Sequence, residues 1–383
     1  MLKSSTAEWS LYLYLRMKKI TLILFLVFNV YSLRAQLDSI IDQGVFRTYI
    51  VHLPSGYNTN NKYPLVFNLH GLRANALQQK TITQFDKIAD QKGFIVVYPN
   101  GTDKSWTTVG NKDLDFLSNL VDSIRSNYST NDCLFMMGFS QGGFMTYKFA
   151  LNSSHSLKGI AVGSGNISQA TQAASENATQ IPVLHFHGNA DNIVPFNGTP
   201  PFIPPVENTI EWLVSHNGCD RIPVVSTLPD IDLTDNSTVE KYYYGNGDND
   251  SEVTYYKITG GGHTWCGSIP VPTFGETNQD INQSAIIGDY FEKFCSETNG
   301  IPNEKGQVFF SLYPNPFNNQ LTIQSYANEE LTFILYDNLS RKILNERCYN
   351  NLTINTDFLS NGVYYYKIQN SNEKLKSGKV IKN

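Results

Sequence analysis

Three segments carry side chains that could together perform nucleophilic acyl transfer: Gly138-Phe139-Ser140-Gln141-Gly142, His187-Gly188-Asn189-Ala190-Asp191 and Gly261-Gly262-His263-Thr264-Trp265. An isolated serine hydroxyl attacks poorly at neutral pH, so a base must take its proton. Imidazole, with an ordinary pKa of about 6.5, fits that task. A carboxylate must then hold the ring in one tautomer and stabilise its cation. Ser140, His263 and Asp191 are the candidates, in the chain order serine, aspartate, histidine.

That is the order of the α/β-hydrolase triad, whereas other serine-hydrolase folds reach the same geometry in other orders. A Gly-x-Ser-x-Gly pentad alone arises by chance in roughly one chain in eight of this length, given ordinary glycine usage, so its surroundings matter more. Residues 133–137 before it are uniformly apolar, as expected of a strand buried on both faces of a parallel sheet. After it, Phe144, Tyr147, Lys148 and Leu151 recur at helical spacing. Strand, sharp turn and helix make a nucleophile elbow. Its glycines are needed because the serine backbone is strained and neighbouring chain passes close.

Elimination supports the other two residues. Of seven histidines, His52 falls in a strand at 47–53, His155 follows a helix end, and His216 closes a helix at 206–216. His185 and His187 lie on a strand at 182–187 and read as structural. His263 instead occupies a glycine-rich loop after the β-rich run 253–258, downstream of both serine and aspartate. Among Asp191, Asp220, Asp230, Asp232, Asp235, Asp248 and Asp250, only Asp191 closely follows a buried strand. The others sit among turn-forming residues.

Acyl transfer also needs two backbone N–H groups for the oxyanion. Gln141, just after the nucleophile at a helix N-terminus, supplies one. Leu72 is expected to supply the other, because the apolar strand at 63–69 runs into His70-Gly71-Leu72 and Gly71 lets the chain turn inward. Losing one such donor costs on the order of 3–4 kcal/mol of transition-state stabilisation. Trp106, Phe139 and Trp265 are candidates for aromatic surface at the cleft, against the alternative that each packs in the core.

The elements that must position these groups alternate. A strand at 63–69 leads to a helix at 76–91, with Leu77, Phe85 and Ile88 inward and Gly93 capping its end. A strand at 94–98 leads to a helix at 114–128. Elbow strand and helix follow, then strands at 159–162 and 182–187, and a hairpin of 241–244 with 253–258. Its acidic turn, 245–250, reads as a plain turn rather than a calcium loop. Repeated β–α units imply an α/β, doubly wound, mostly parallel sheet with helices on both faces. Ligands in such sheets bind at the carboxyl ends of the strands, where all three segments fall.

The motifs 47–49 with 53–57, Leu69-His70-Gly71, Tyr98-Pro99-Asn100-Gly101 with Trp106, and Asp113 with Phe116-Leu117 resemble the feruloyl esterase and polyhydroxybutyrate depolymerase group of α/β-hydrolases. So do residues 138–143, His187-Gly188 with Asp191, Val194-Pro195, and residues 260–265. In order and at plausible spacing, they cover about two thirds of the chain, residues 37–295. The resemblance implies a secreted esterase with Ser140, Asp191 and His263 as its triad. Two departures stand out: Cys266 where the family usually has proline, and Asn189 where it commonly has threonine.

Length, charge and targeting agree. The 383 residues carry a net charge of −5, which gives no basic field for nucleic acid. Met17-Lys18-Lys19, an apolar run at 20–30 and Ala35 read as a cleavable signal peptide over 1–35, with the start at Met17. The run is short for a membrane span, so no transmembrane anchor is expected. Export makes disulfides possible. Of five cysteines, Cys133 is expected as a free core thiol; Cys219, Cys266 and Cys295 are candidates, with Cys219–Cys266 the suggested pair.

The esterase domain is expected over 36–297 and a polar linker over 298–308. Seven short strands at 309–313, 321–325, 331–336, 342–346, 352–356, 362–368 and 374–381 then suggest a small all-β sandwich domain, 309–383. Tyr313-Pro314-Asn315-Pro316, Leu335-Tyr336-Asp337, Gly362-Val363-Tyr364 and Lys379-Val380-Ile381-Lys382 resemble the C-terminal sorting domain of type IX secretion. That resemblance implies secretion machinery as a partner and an extracellular or cell-surface location. The alternative is an appended sugar-binding or adhesion sandwich. The expected molecule is a monomeric serine esterase without metal or cofactor. Its expected substrate is a feruloyl or acetyl ester of plant polysaccharide, with a polyhydroxybutyrate-type polyester second. A non-catalytic surface binding protein on the same scaffold is the alternative class.

Overall fold

A computed structural model describes residues 37–108, 110–175, 177–296, 310–325, 330–337, 341–349, 351–369 and 374–382. The expected signal peptide and linker lie outside these residues. The chain divides into two compact units, residues 1–298 and 299–383.

The first unit is built on a ten-stranded sheet. Its strands are β1 (Asp38–Asp42), β2 (Val45–His52), β3 (Tyr63–Leu69), β4 (Ile95–Pro99), β5 (Thr130–Phe139), β6 (Gly159–Gly163), β7 (Val183–Gly188), β8 (Val224–Thr227), β9 (Thr238–Tyr244) and β10 (Val253–Thr259). They lie in the order β1-β2-β4-β3-β5-β6-β7-β10-β9-β8. The central run from β4 to β10 is parallel. Antiparallel strands finish both edges. Continuous apolar runs form the centre because both faces are covered. Leu65, Phe67, Leu134 and Met136 pack on one face with Leu117, Leu120 and Phe149. Val66, Phe135 and Met137, offset by one residue, pack on the other with Phe85, Ile88 and Phe291.

The helices are α1 (Ala76–Thr83), α2 (Phe85–Lys92), α3 (Lys112–Asn127), α4 (Gln141–Asn152), α5 (Gln169–Ala173), α6 (Val206–His216) and α7 (Gln283–Ser296). The single helix expected at 76–91 is two, because Gln84 takes a left-handed conformation (φ 47°). The break rephases the faces: Phe85 and Ile88 are buried as expected, but Leu77 is exposed. Gly93 caps α2 at φ 75°. The short edge strands β1 and β8 and the helix α7 have no counterpart among the expected elements.

Helix α7 corrects the cysteine reading. Cys133, near the start of β5, is bonded to Cys295 in α7 across 162 residues. Cys219 and Cys266 are instead buried free thiols. Without α7 in the expected fold, nothing brought position 295 onto the face of β5 that holds Cys133.

The second unit holds β11 (Phe310–Tyr313), β12 (Gln320–Ser325), β13 (Leu331–Tyr336), β14 (Lys342–Cys348), β15 (Asn351–Asn355), β16 (Gly362–Gln369) and β17 (Lys374–Lys382). Two antiparallel sheets, β11-β12-β15 and β14-β13-β16-β17, share a core of Phe317, Leu321, Ile323, Phe333, Leu335, Ile354, Ile368 and Val380. Alternation of inward and outward residues along short strands produces this two-sheet packing.

Candidate active site

At the carboxyl end of β5 the chain turns abruptly into α4 through Ser140, at φ 54° and ψ −121°. A non-glycine residue in that region is strained, and the surrounding structure must hold it there. Ser140 N–H donates to Gly163 O at 2.9 Å, while Ser140 O accepts from Gly143 N–H at 2.8 Å. The glycines are required by space. A Cβ at Gly138 would overlap the Gly142 carbonyl, and one at Gly142 would overlap the Leu69 carbonyl.

Strand β10 places His263 in the following loop, where His263 N–H donates to Phe274 O at 2.7 Å. Its Nε2 lies 2.9 Å from Ser140 Oγ, and its Nδ1 lies 2.7 Å from Asp191 Oδ2. All three side chains are buried. With the carboxylate accepting, Nδ1–H donates to Asp191 and Nε2 is free to accept the serine proton. Asp191 Oδ1 accepts from the N–H groups of Ile193 and Val194 at 2.8 and 2.9 Å, which fixes the carboxylate independently of the imidazole. His187 Nε2–H donates to Val194 O at 2.9 Å, stiffening the same turn. Asn189 Oδ1 accepts from Gly260 N–H at 2.8 Å and ties the aspartate loop to the histidine loop. In sequence Asn189 stands out only as a departure from the family pattern.

Gln141 opens α4, so its N–H has no intrahelical acceptor. A Cβ on Gly71 would stand 3.3 Å from Ser140 Cβ, which puts the Gly71–Leu72 peptide against the nucleophile. Among the described residues, Leu72 N–H meets no protein acceptor.

Residues 47–111 match the esterase PHB depolymerase family, residues 107–200 the phospholipase/carboxylesterase family, and residues 311–383 the secretion system C-terminal sorting domain. The chain thus carries an α/β-hydrolase fold with matches to esterase families, followed by a match to a sorting domain. The sorting domain marks it for type IX secretion to the cell surface or extracellular space. A bifunctional acetylxylan esterase/xylanase from Neocallimastix patriciarum is 26% identical over 58% of this chain and 32% of its own length. A probable feruloyl esterase C from Aspergillus clavatus is 28% identical over 46% of this chain and 63% of its own. The chain thus spans between a third and just under two thirds of these relatives. The acetyl xylan esterase from Aspergillus awamori shares the fold, with a TM-score of 0.50 at 16% identity, over 68% of this chain and 99% of that one.

In the hydrolase domain the three aromatic candidates separate. Trp106 and Trp265 are each only 2% exposed, so neither indole offers a face to a ligand, contrary to the cleft reading. Trp106 Nε1–H donates to His70 O at 2.7 Å, and Trp265 Nε1–H donates to Ser284 Oγ at 3.0 Å; both brace the loops that bear the site. Phe139 is half-buried, with its ring 4.9 Å from that of His263. Exposed apolar residues that spacing did not reveal also flank the site residues in chain or in space. Leu72, Ile193 and Phe274 are 55, 55 and 46% exposed, and the Phe274 ring meets His263 edge-on at 6.4 Å. Phe274 lies in a proline-containing loop with no periodicity to mark it.

Cys266 is buried, and its N–H donates to Gln283 Oε1 at 3.1 Å. Burial pushes its thiol up to about 12 and that of Cys219 up to about 11, so both stay protonated and unreactive. The loop that carries Trp106 is held by a buried ion pair. Arg47 Nη2 lies 2.7 Å from Asp113 Oδ1, while Asp113 Oδ2 accepts from Thr107 N–H at 2.6 Å.

Proposed function

We propose that the chain is a secreted serine esterase in which Ser140 is the nucleophile, His263 the general base and acid, and Asp191 the orienting carboxylate. One observation carries this reading: a single imidazole bridges Ser140 Oγ and Asp191 Oδ2 at hydrogen-bond distance. In the first half-reaction His263 Nε2 takes the Ser140 proton as Oγ bonds to the ester carbonyl carbon. The resulting oxyanion is held by the N–H groups of Gln141 and Leu72. The tetrahedral intermediate collapses, the C–O bond to the alcohol breaks, and His263 returns the proton to the departing alkoxide. Water then adds to the acyl-enzyme with His263 again as base, which releases the acid and restores Ser140.

The substrate class proposed is a feruloyl or acetyl ester of plant polysaccharide. Support comes from the acetylxylan and feruloyl esterase names of the relatives. The apolar rim of Leu72, Ile193 and Phe274 suits an acyl group with an apolar body. A polyester substrate is the second reading, favoured by the PHB depolymerase match over 47–111. The test is hydrolysis of methyl ferulate, acetylated xylan and hydroxybutyrate oligomers by the wild type and by Ser140→Ala. Turnover of either of the first two, abolished by the substitution, supports the proposal. Turnover of the oligomers alone selects the second reading. Polysaccharide binding without any turnover would leave a non-catalytic binding protein.

A further inference from the structure

His70 is buried and exchanges no proton in the mechanism above, yet both of its ring nitrogens are engaged. Gly101 N–H donates to Nε2 at 3.0 Å, so Nε2 bears the lone pair and the ring proton sits on Nδ1. That Nδ1–H donates to Gly71 O at 2.7 Å. Burial lowers the His70 pKa and keeps this neutral tautomer.

The Gly71–Leu72 peptide is trans, so the carbonyl held by His70 and the Leu72 N–H point in opposite directions. Anchoring the oxygen therefore aims the amide. The anchor continues to the second oxyanion donor. His70 O accepts from Trp106 Nε1–H at 2.7 Å. Trp106 N–H donates to Gln141 Oε1 at 3.0 Å, and Trp106 O accepts from Gln141 Nε2 at 3.1 Å.

We propose that His70 is a positioning residue. Its Nδ1–H fixes the Gly71–Leu72 peptide so that the Leu72 amide faces the developing oxyanion, and the Trp106–Gln141 brace keeps that amide in register with the Gln141 amide. The inference rests on the serine-esterase reading and concerns how its oxyanion pocket is built.

The test compares the full chain with His70→Leu and His70→Asn on p-nitrophenyl acetate, with phenylboronic acid as transition-state analogue. Asparagine can place an amide N–H close to the position of Nδ1–H; leucine cannot. Removal of one oxyanion donor costs roughly 100- to 1000-fold in kcat. His70→Leu should approach that loss with KM within about twofold, and boronate affinity should fall in parallel, because the donor acts on the transition state and not on bound substrate. His70→Asn should recover to within about tenfold of wild type. If His70→Leu does not fold, Gln141→Met, which keeps the backbone amide but cuts the brace, should give the same kcat-only signature at smaller size. A crystal structure of the His70→Leu or Gln141→Met variant should show the Gly71–Leu72 peptide rotated. Equal impairment of leucine and asparagine variants with raised KM would overturn the proposal, as would an unrotated peptide. A wild type that hydrolyses no ester ends the esterase reading separately, and the crystallographic result then decides the positioning claim alone.

Discussion

Ser140 holds a strained left-handed conformation because bonds and close neighbours leave it no other. The strain aims Oγ at His263 and sets the Gln141 amide at the helix end, so small changes around it carry large penalties. Gly142→Ala would drive a methyl into the Leu69 carbonyl. The elbow must shift to relieve that overlap, and esterase activity should fall by at least about 100-fold while the melting temperature drops, measurable by turnover and calorimetry. Asp191→Asn is subtler. Its Oδ1 could still accept from Ile193 and Val194, but the group facing His263 Nδ1 could become a donor and favour the wrong tautomer. The expected result is a loss on the order of 10⁴ in kcat with an unchanged melting temperature. A loss under tenfold would remove Asp191 from its proposed role.

At the scale of elements, the parallel centre was legible because burial on both faces leaves unbroken apolar runs such as 133–137. The seven strands of the second unit were legible as short runs separated by turns. What stayed hidden has a common cause. Strands β1 and β8 lie at sheet edges and need no apolar run, and α7 has glycine and polar residues interrupting its face. Missing α7 also misplaced the disulfide, since Cys133 looks like an ordinary core residue until position 295 is brought beside it. The cross-link ties the last helix of the hydrolase unit to its central sheet. Cys295→Ser should therefore lower stability by about 2–4 kcal/mol, seen as a lower denaturant midpoint with kcat retained, and reductant should reproduce the shift in the wild type only. The candidate site was legible in its three chemical groups and not in its rim. Trp106 and Trp265 suggested a ligand surface by type, yet they are the pillars behind it, and Phe274 had no pattern to declare it.

The whole molecule consists of two units with separate cores, and the separation predicts separable roles. A chain ending at residue 298 should keep the esterase kcat within about twofold, since no site residue lies beyond it, while losing export. Imidazoles buried in the first unit contribute to its sensitivity to acid. Burial lowers the pKa of His70, His185 and His187 below the ordinary 6.5, so the unfolded chain takes up more protons than the folded one in that window. The stability that these neutral imidazoles contribute is fully present above a pH of about 6.5 and is lost as pH falls through their lowered folded values. Among the described residues, His185 bonds Tyr147 OH at 2.7 Å through Nδ1 while its Nε2 meets no hydrogen-bond partner, and it is the most strongly depressed of the three. His185→Gln should flatten the decline in melting temperature between pH of about 6.5 and 5. An unchanged slope would show that other groups govern acid unfolding.

The most direct test of the central claim is treatment of the folded protein with a fluorophosphonate, followed by peptide mass spectrometry. The account predicts one labelled residue, Ser140, with labelling abolished in Ser140→Ala and slowed at least about 100-fold in His263→Ala. An adduct on a different serine, or an unlabelled wild type with intact fold, would contradict it.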